Sequence, residues 1–170
     1  HDGEGLVHHV DPLDGRTYLY AMSFLDAAPR WFACFDQPDL KFSLTMTVTT
    51  PDDAWIVRGN GPFERLGPRV WRIQQDEPLA TYFVTVVAGP WASVSAEHDG
   101  IGLEVLARAS LANLLEQHSS DILQVTGVSF DAFHHLFGVR YPYGDYVQAF
   151  VPDFNAGAME NPGCVTFREG

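Results

Sequence analysis

Seven histidines, two cysteines and scattered carboxylates are the residues of this 170-residue chain whose types could do hydrolytic or metal chemistry. The histidines are His1, His8, His9, His98, His118, His134 and His135. No two of them stand three or four residues apart, the spacing that brings two imidazoles of one helix face to one metal ion. His8 and His9 point to opposite faces of a strand, and His134 and His135 lie about a hundred degrees apart on a helix, so neither pair chelates as a unit. The pattern His-Glu-x-x-His is absent, as are a Gly-x-Ser-x-Gly elbow and a phosphate-cradling glycine loop. Cys34 sits in an apolar aromatic stretch, where a buried inert thiol is expected rather than a nucleophile. No catalytic residue and no metal ligand is therefore assigned within residues 1–170.

What remains is the segment Asn155-Ala156-Gly157-Ala158-Met159-Glu160-Asn161-Pro162-Gly163. It is a glycine-bearing extended piece with one carboxylate, flanked by Phe154 and by the strand-like Cys164-Val165-Thr166-Phe167. Two readings are open. It is a plain turn with a solvated glutamate, or it is an edge strand on which small residues let another backbone approach while Glu160 offers a negative group near its end.

The elements that must position this segment fall into two stretches. Up to about Ala107, apolar residues recur at a period of two between turn residues, an all-β pattern of six or seven short strands that points to a β-sandwich. Phe42, Leu44, Met46 and Val48 alternate with Ser43, Thr45, Thr47 and Thr49, and Trp71 and Ile73 alternate with Arg72 and Gln74. Tyr82 to Ala88 reads as a central strand covered on both faces. Asp99-Gly100 marks a two-residue hairpin, and Asp14-Gly15 is expected to do the same between His8-His9-Val10 and Tyr18-Leu19-Tyr20. After Ala107 the period changes: Leu111, Leu114, Leu115, His118, Ile122, Val125, Phe130, Phe133, Leu136 and Phe137 form one apolar stripe on a long helix, with Ser110 as its expected cap and Gly138 as its stop. A loop at Tyr141-Pro142-Tyr143-Gly144 and an extended Val147 to Val151 follow. The expected division is residues 1–107 as one unit and 108–170 as the opening of a second, incomplete one, because one helix with a few strands cannot enclose a core alone.

Composition sets limits on partners. A formal charge of −12 with only ten Lys and Arg excludes a phosphate-binding surface, and so nucleic acid. No apolar run approaches the length of a membrane span, and His1 to Gly5 do not read as the start of a signal peptide. The two cysteines form no paired framework, which points to a reducing, cytoplasmic compartment. The absent initiator methionine and the abrupt Arg168-Glu169-Gly170 suggest that both ends are cuts.

Gly157-Ala158-Met159-Glu160-Asn161 matches, letter for letter, the exopeptidase motif of the aminopeptidase N family of zinc metallopeptidases. The flanking Val151-Pro152-Asp153-Phe154-Asn155 and Pro162 to Phe167 resemble the segments that frame that motif. Arg30 to Lys41 is similar to the family's Arg-x-x-Phe-Pro-Cys-Phe-Asp-Glu-Pro loop, and Val87-Ala88-Gly89-Pro90 and the helix up to Phe137-Gly138 follow in family order. The resemblance covers essentially the whole chain. It implies a mainly β, saddle-like amino-terminal domain over 1–107, itself lacking its first strands, and the α+β start of a thermolysin-like catalytic domain over 108–170. It also implies a peptide substrate with a free amino terminus, bound by Gly157, Ala158, Met159, Glu160 and Asn161. Glu160 would hold the α-ammonium and the Gly-Ala stretch would pair with the peptide backbone. The cofactor implied is one zinc ion, whose ligands and general base belong to a His-Glu-x-x-His helix and a later glutamate expected beyond Gly170, so the chain alone is expected to be inactive.

Three positions depart from the family. Met22-Ser23-Phe24 stands where relatives carry Gln-x-Glu, Asp145 stands in place of a lysine, and Gln37 replaces the glutamate before Pro38. The first removes a second anionic contact to the substrate amine, and with it arises the alternative of a non-catalytic peptide- or protein-binding module on the same fold.

Overall fold

The computed structural model describes residues 3–169; His1, one of the seven histidines, lies outside the described residues. Short strands separated by turns fill the first part of the chain: β1 (Gly5–Val10), β2 (Thr17–Met22), β3 (Phe42–Thr49), β4 (Ile56–Gly59), β5 (Phe63–Gly67), β6 (Val70–Leu79), β7 (Val86–Gly89), β8 (Ala92–His98) and β9 (Ile101–Ala107). One long helix, α1 (Ala112–Phe137), comes next, and then β10 (Tyr146–Val151), β11 (Ala158–Met159) and β12 (Cys164–Arg168).

These strands form three sheets, with orders β3-β6-β5, β1-β2-β7-β4 and β11-β12-β10-β9-β8. The first two face each other across a core of Trp71 and Ile73 on one side and Ala21, Val57, Val86 and Ala88 on the other, the sandwich that the alternating pattern predicts. The opposite face of the β1-β2-β7-β4 sheet packs Val7, Tyr18, Tyr20, Met22 and Val87 on Leu106, Val147, Ala149, Val151 and Cys164 of the five-stranded sheet. The far side of that sheet, through Val105 and Ala107, is covered by Leu115, Ile122 and Leu123 of α1. The result is four layers, three sheets and a helix, mainly β with α+β character at the end.

The turn chemistry is legible where only one conformation fits. Asp99 and Gly100 take φ of 50° and 77°, and β8 turns directly into β9 with His98 opposite Ile101. Asp14-Gly15 behaves differently from the expectation. The β1–β2 hairpin exists, but its connection runs from Asp11 to Arg16, closed by the Asp11 amide on the Arg16 carbonyl at 2.9 Å, and only Gly15 has positive φ. Tyr82 to Ala88 is also not one strand. Thr81–Phe83 is a 3-10 turn, and the strand β7 is limited to Val86–Gly89, which is buried throughout and central between β2 and β4. An apolar run alone does not distinguish a buried turn from a buried strand.

Helix α1 stops where expected, at Gly138 in the left-handed region (φ 66°), whose amide donates to the His134 carbonyl. Ser110 is not its cap. A 3-10 turn over Ala109–Leu111 precedes the helix, the cap position is Leu111, and the Ser110 hydroxyl donates instead to the buried Asp11 carboxylate. The expected stripe is only partly the buried one. Leu115, Ser119 and Gly127 are buried, whereas Leu114, Val125, Phe133, Leu136 and Phe137 are more than half exposed.

Arg58 and Arg108 tie the layers together. Arg58 of β4 makes a bidentate pair with Glu104 of β9 (2.5 and 3.0 Å) and lies over the Phe63 ring of β5. Arg108, just after β9, contacts Asp11 at 2.9 Å and Glu169 at 2.6 Å. The division expected after Ala107 falls between β9 and α1, and the five-stranded sheet takes β8 and β9 from before it and β10 to β12 from after it.

Candidate functional site

The five residues Gly157 to Asn161 lie at the edge of the five-stranded sheet. Ala158 and Met159 form β11, the terminal strand, antiparallel to β12 with Ala158 opposite Phe167 and Met159 opposite Thr166. The Arg168 amide donates to the Gly157 carbonyl at 3.0 Å. Bonded and non-bonded pairs alternate along an antiparallel ladder. With Gly157 bonded to Arg168, the N–H and C=O of Ala158 point away from β12 toward the open side of the sheet. Ala158 and Met159 are thus an edge strand two residues long, with bends before it, a turn after it and the glutamate in solvent.

Side chains alternate along the same stretch. Ala158 and Glu160 are exposed, while Met159 and Asn161 are buried. Met159 packs in the core with Met22, Tyr20 and Phe154 and so anchors the strand. Asn161 reaches back to the Met159 carbonyl and across to the Thr166 hydroxyl, both at 3.4 Å, and its own carbonyl accepts the Cys164 amide. A Cβ added at Gly157 would meet nothing within 4 Å, so the space beside its Cα is open. Glu160 makes no hydrogen bond or ion pair with any described residue, leaving its carboxylate free to receive a cation. The arrangement can add an extended peptide at the edge through Ala158 and place an anionic group two residues further on.

The loop that follows is held from two sides. Asn60, buried at the end of β4, donates its side-chain amide to the Phe83 and Pro162 carbonyls (2.9 and 2.8 Å) and accepts the Thr85 amide on its oxygen (2.8 Å). The Gly163 amide donates to the Tyr141 hydroxyl at 2.8 Å. Burial, the main influence, raises the Tyr141 hydroxyl well above the ordinary tyrosine range, keeping it protonated. Neither residue stands out in the sequence beyond a loop assignment for Tyr141. The available signal for Asn60 is a lone amide between an apolar strand and Gly61-Pro62.

The departures from the family take these places. Met22 is buried and faces the same core as Met159, Ser23 donates to the Val84 carbonyl at 2.5 Å, and Phe24 is part-exposed and edge-on to Tyr82. Asp145 lies under Gly102, and Gln37 is exposed. The histidines have structural partners or face solvent: His9 pairs with Asp153 (3.0 Å), His98 with Asp131 (2.8 Å), and His134 accepts the Tyr141 amide (3.1 Å), while His8, His118 and His135 are exposed. Cys34 is half-exposed rather than buried as expected, yet burial and the charge of Asp36 raise its thiol, and Cys164, fully buried, is pushed up to about 12. Neither is a thiolate near neutral pH. Among the described residues no group of three or more His, Cys, Asp or Glu could hold a metal ion. The zinc implied by the resemblance has no ligand set there, and no step below is routed through it.

Comparison with known proteins bears directly on this edge strand. The family described as Peptidase family M1 domain matches residues 122–170, a stretch that includes all of Gly157 to Asn161. Aminopeptidase N of Streptomyces lividans is 41% identical over 171 residues, covering 98% of this chain and 20% of that protein. The chain belongs to the aminopeptidase N family. Other members are more distant: aminopeptidase N of Rattus norvegicus is 31% identical, covering 91% of this chain and 17% of its own length, and aminopeptidase M1 of Arabidopsis thaliana is 32% identical, covering 84% and 16%. The chain spans about a fifth or less of the length of these curated relatives. No helix of the described residues is long and apolar enough to cross a membrane.

Proposed function

We propose that this chain is the amino-terminus-recognising part of a zinc aminopeptidase that removes the first residue from peptides. The observation that carries the proposal is the pairing of an open edge strand at Ala158 with a free, exposed carboxylate at Glu160. An extended peptide bonds to the outward N–H and C=O of Ala158, and its α-ammonium pairs with Glu160. A charged amine taken out of water must be paired, and a peptide held by its first amine presents only its first peptide bond to the reacting groups. Gly157 leaves room for the substrate backbone, while Met159 and Asn161 fix the strand from beneath.

Residues 1–107 serve as the amino-terminal β unit and 108–170 as the opening of the catalytic domain. The hydrolytic machinery, one zinc ion with its ligands and a glutamate base, belongs to sequence outside residues 1–170, and the chain by itself is inactive. A zinc ion held there would supply Lewis-acid chemistry, while the residues of this chain bind and orient the substrate. The unpaired Cys34 and Cys164 favour a cytoplasmic location.

A second reading is favoured by the burial of Met22 and the apolar character of Phe24, which leave Glu160 without a neighbouring carboxylate from that segment. On this reading the edge strand docks a peptide without cutting it. The test is turnover of an aminoacyl chromogenic substrate by the full-length protein, before and after zinc is removed by chelator. Activity lost with zinc and restored by it supports the peptidase; a zinc-free protein that binds peptides without turnover supports the docking module.

A further inference from the structure

Glu160 has no side-chain partner of its own, so its carboxylate is placed only by the backbone on either side. On the amino-terminal side that hold is β11, bonded to β12 and anchored by Met159. On the other side it is the loop at Pro162 and Gly163, and there the structure supplies an unusual clamp. The Asn60 side-chain amide spends both of its N–H groups on carbonyls, one from Phe83 in the turn before β7 and one from Pro162, two residues after Glu160. Its oxygen accepts the Thr85 amide, so both N–H groups and the oxygen of this fully buried side chain are engaged. Proline has no amide of its own, which leaves the Pro162 carbonyl as the group through which that residue can be fixed. The close approach of Gly163 to Gly61 and the Gly163–Tyr141 bond lock the same loop.

We infer that Asn60 is a positioning residue for the amine site: it transmits the rigidity of the β4–β7 pair to Glu160, making the amino-terminal β unit a working part of substrate recognition and not only a neighbour of it. This rests on the proposed role of Glu160. Removing one donor leaves a buried carbonyl unpaired and frees the loop, and displacement of a positioning contact by about 1 Å can cost ~100-fold. Asn60→Asp keeps the shape and the Thr85 bond but turns a negative oxygen toward two carbonyls. Tyr141→Phe removes only the hydroxyl that receives the Gly163 amide.

The experiment is a ratio measured on the full-length protein: the inhibition constants of an α-amino hydroxamate and of its des-amino counterpart. The ratio reads the ammonium contact alone and does not change with the fraction of protein that folds. In the wild type the amine is expected to tighten binding, Glu160→Gln to bring the ratio close to one, Asn60→Asp to lower it at least ~10-fold and Tyr141→Phe ~3-fold. If Asn60→Asp does not fold, Asn60→Ser, which loses the bond to the Pro162 carbonyl, takes its place with the same fall expected. Collapse of the ratio in Glu160→Gln with the wild-type ratio kept in the Asn60 and Tyr141 variants would overturn the positioning role and leave Glu160 in place. A wild-type ratio near one would overturn the role of Glu160 itself, and that of Asn60 with it.

Discussion

Gly163 stands so close to Gly61 that a Cβ built on it would lie 2.2 Å from the Gly61 amide nitrogen, and its φ is 81°. The contact is backbone against backbone, so no side chain can give way. It joins the loop after the recognition strand to the end of β4, where Asn60 holds the same loop by its Pro162 carbonyl at 2.8 Å.

Gly163→Ala is therefore expected to be severe. Overpacking costs roughly 1–3 kcal/mol and a left-handed alanine about 1 kcal/mol more, so a loss of about 3 kcal/mol in unfolding free energy is expected from denaturant melts. A loss below about 1 kcal/mol would mean that the two backbones are not in contact.

Gly157→Ala should behave in the opposite way. Nothing lies within 4 Å of the added methyl and φ there is not positive, so stability should stay within about 1 kcal/mol of wild type. If a peptide backbone passes the face to which this methyl points, the methyl meets the substrate, and KM should rise ~10-fold with the melting temperature unchanged. Unaltered kinetics would place the peptide elsewhere.

A pH dependence follows from Asp11. Burial alone would raise its carboxyl, but the Ser110 hydroxyl, the Leu13 amide and the Arg108 guanidinium together hold it below the usual carboxylate value. The unfolded chain then binds the proton more readily than the folded one. The stabilisation is present above the ordinary value of about 3.9 and is lost as pH falls through the depressed folded value. Asp11→Asn, by breaking a buried pair, should lower stability at neutral pH by about 3 kcal/mol and flatten this part of the acid limb. An unchanged acid limb in thermal melts from neutral to strongly acid pH would contradict this.

Much of this was legible because certain positions admit only one local solution. Asp99-Gly100 requires two positive φ values, Gly138 a left-handed stop, and Trp71 and Ile73 a buried face opposite Arg72 and Gln74. The edge position of Ala158 and Met159 was one of two readings that small residues beside a glycine leave open, the other being a plain turn. The rest depended on contacts distant in sequence. Ser110 has the chemistry of a cap, but Asp11, 99 residues away, takes its hydroxyl. Tyr82-Phe83 has the composition of a strand, yet the turn there presents the Phe83 carbonyl to Asn60. The joining of β9 to β10 as parallel neighbours across α1 has no local signature, and neither has the meeting of Asn60 with Pro162 across 102 residues.

The most direct measurement concerns Glu160 itself. Its side chain is exposed and unpartnered, so Glu160→Ala should leave the fold and melting temperature of the full-length protein as they are. Steady-state turnover of an aminoacyl chromogenic substrate is expected to fall at least ~100-fold, the scale of a lost charge-assisted positioning contact. Turnover equal to that of the wild type would show that the carboxylate at the end of β11 does not hold the substrate amine.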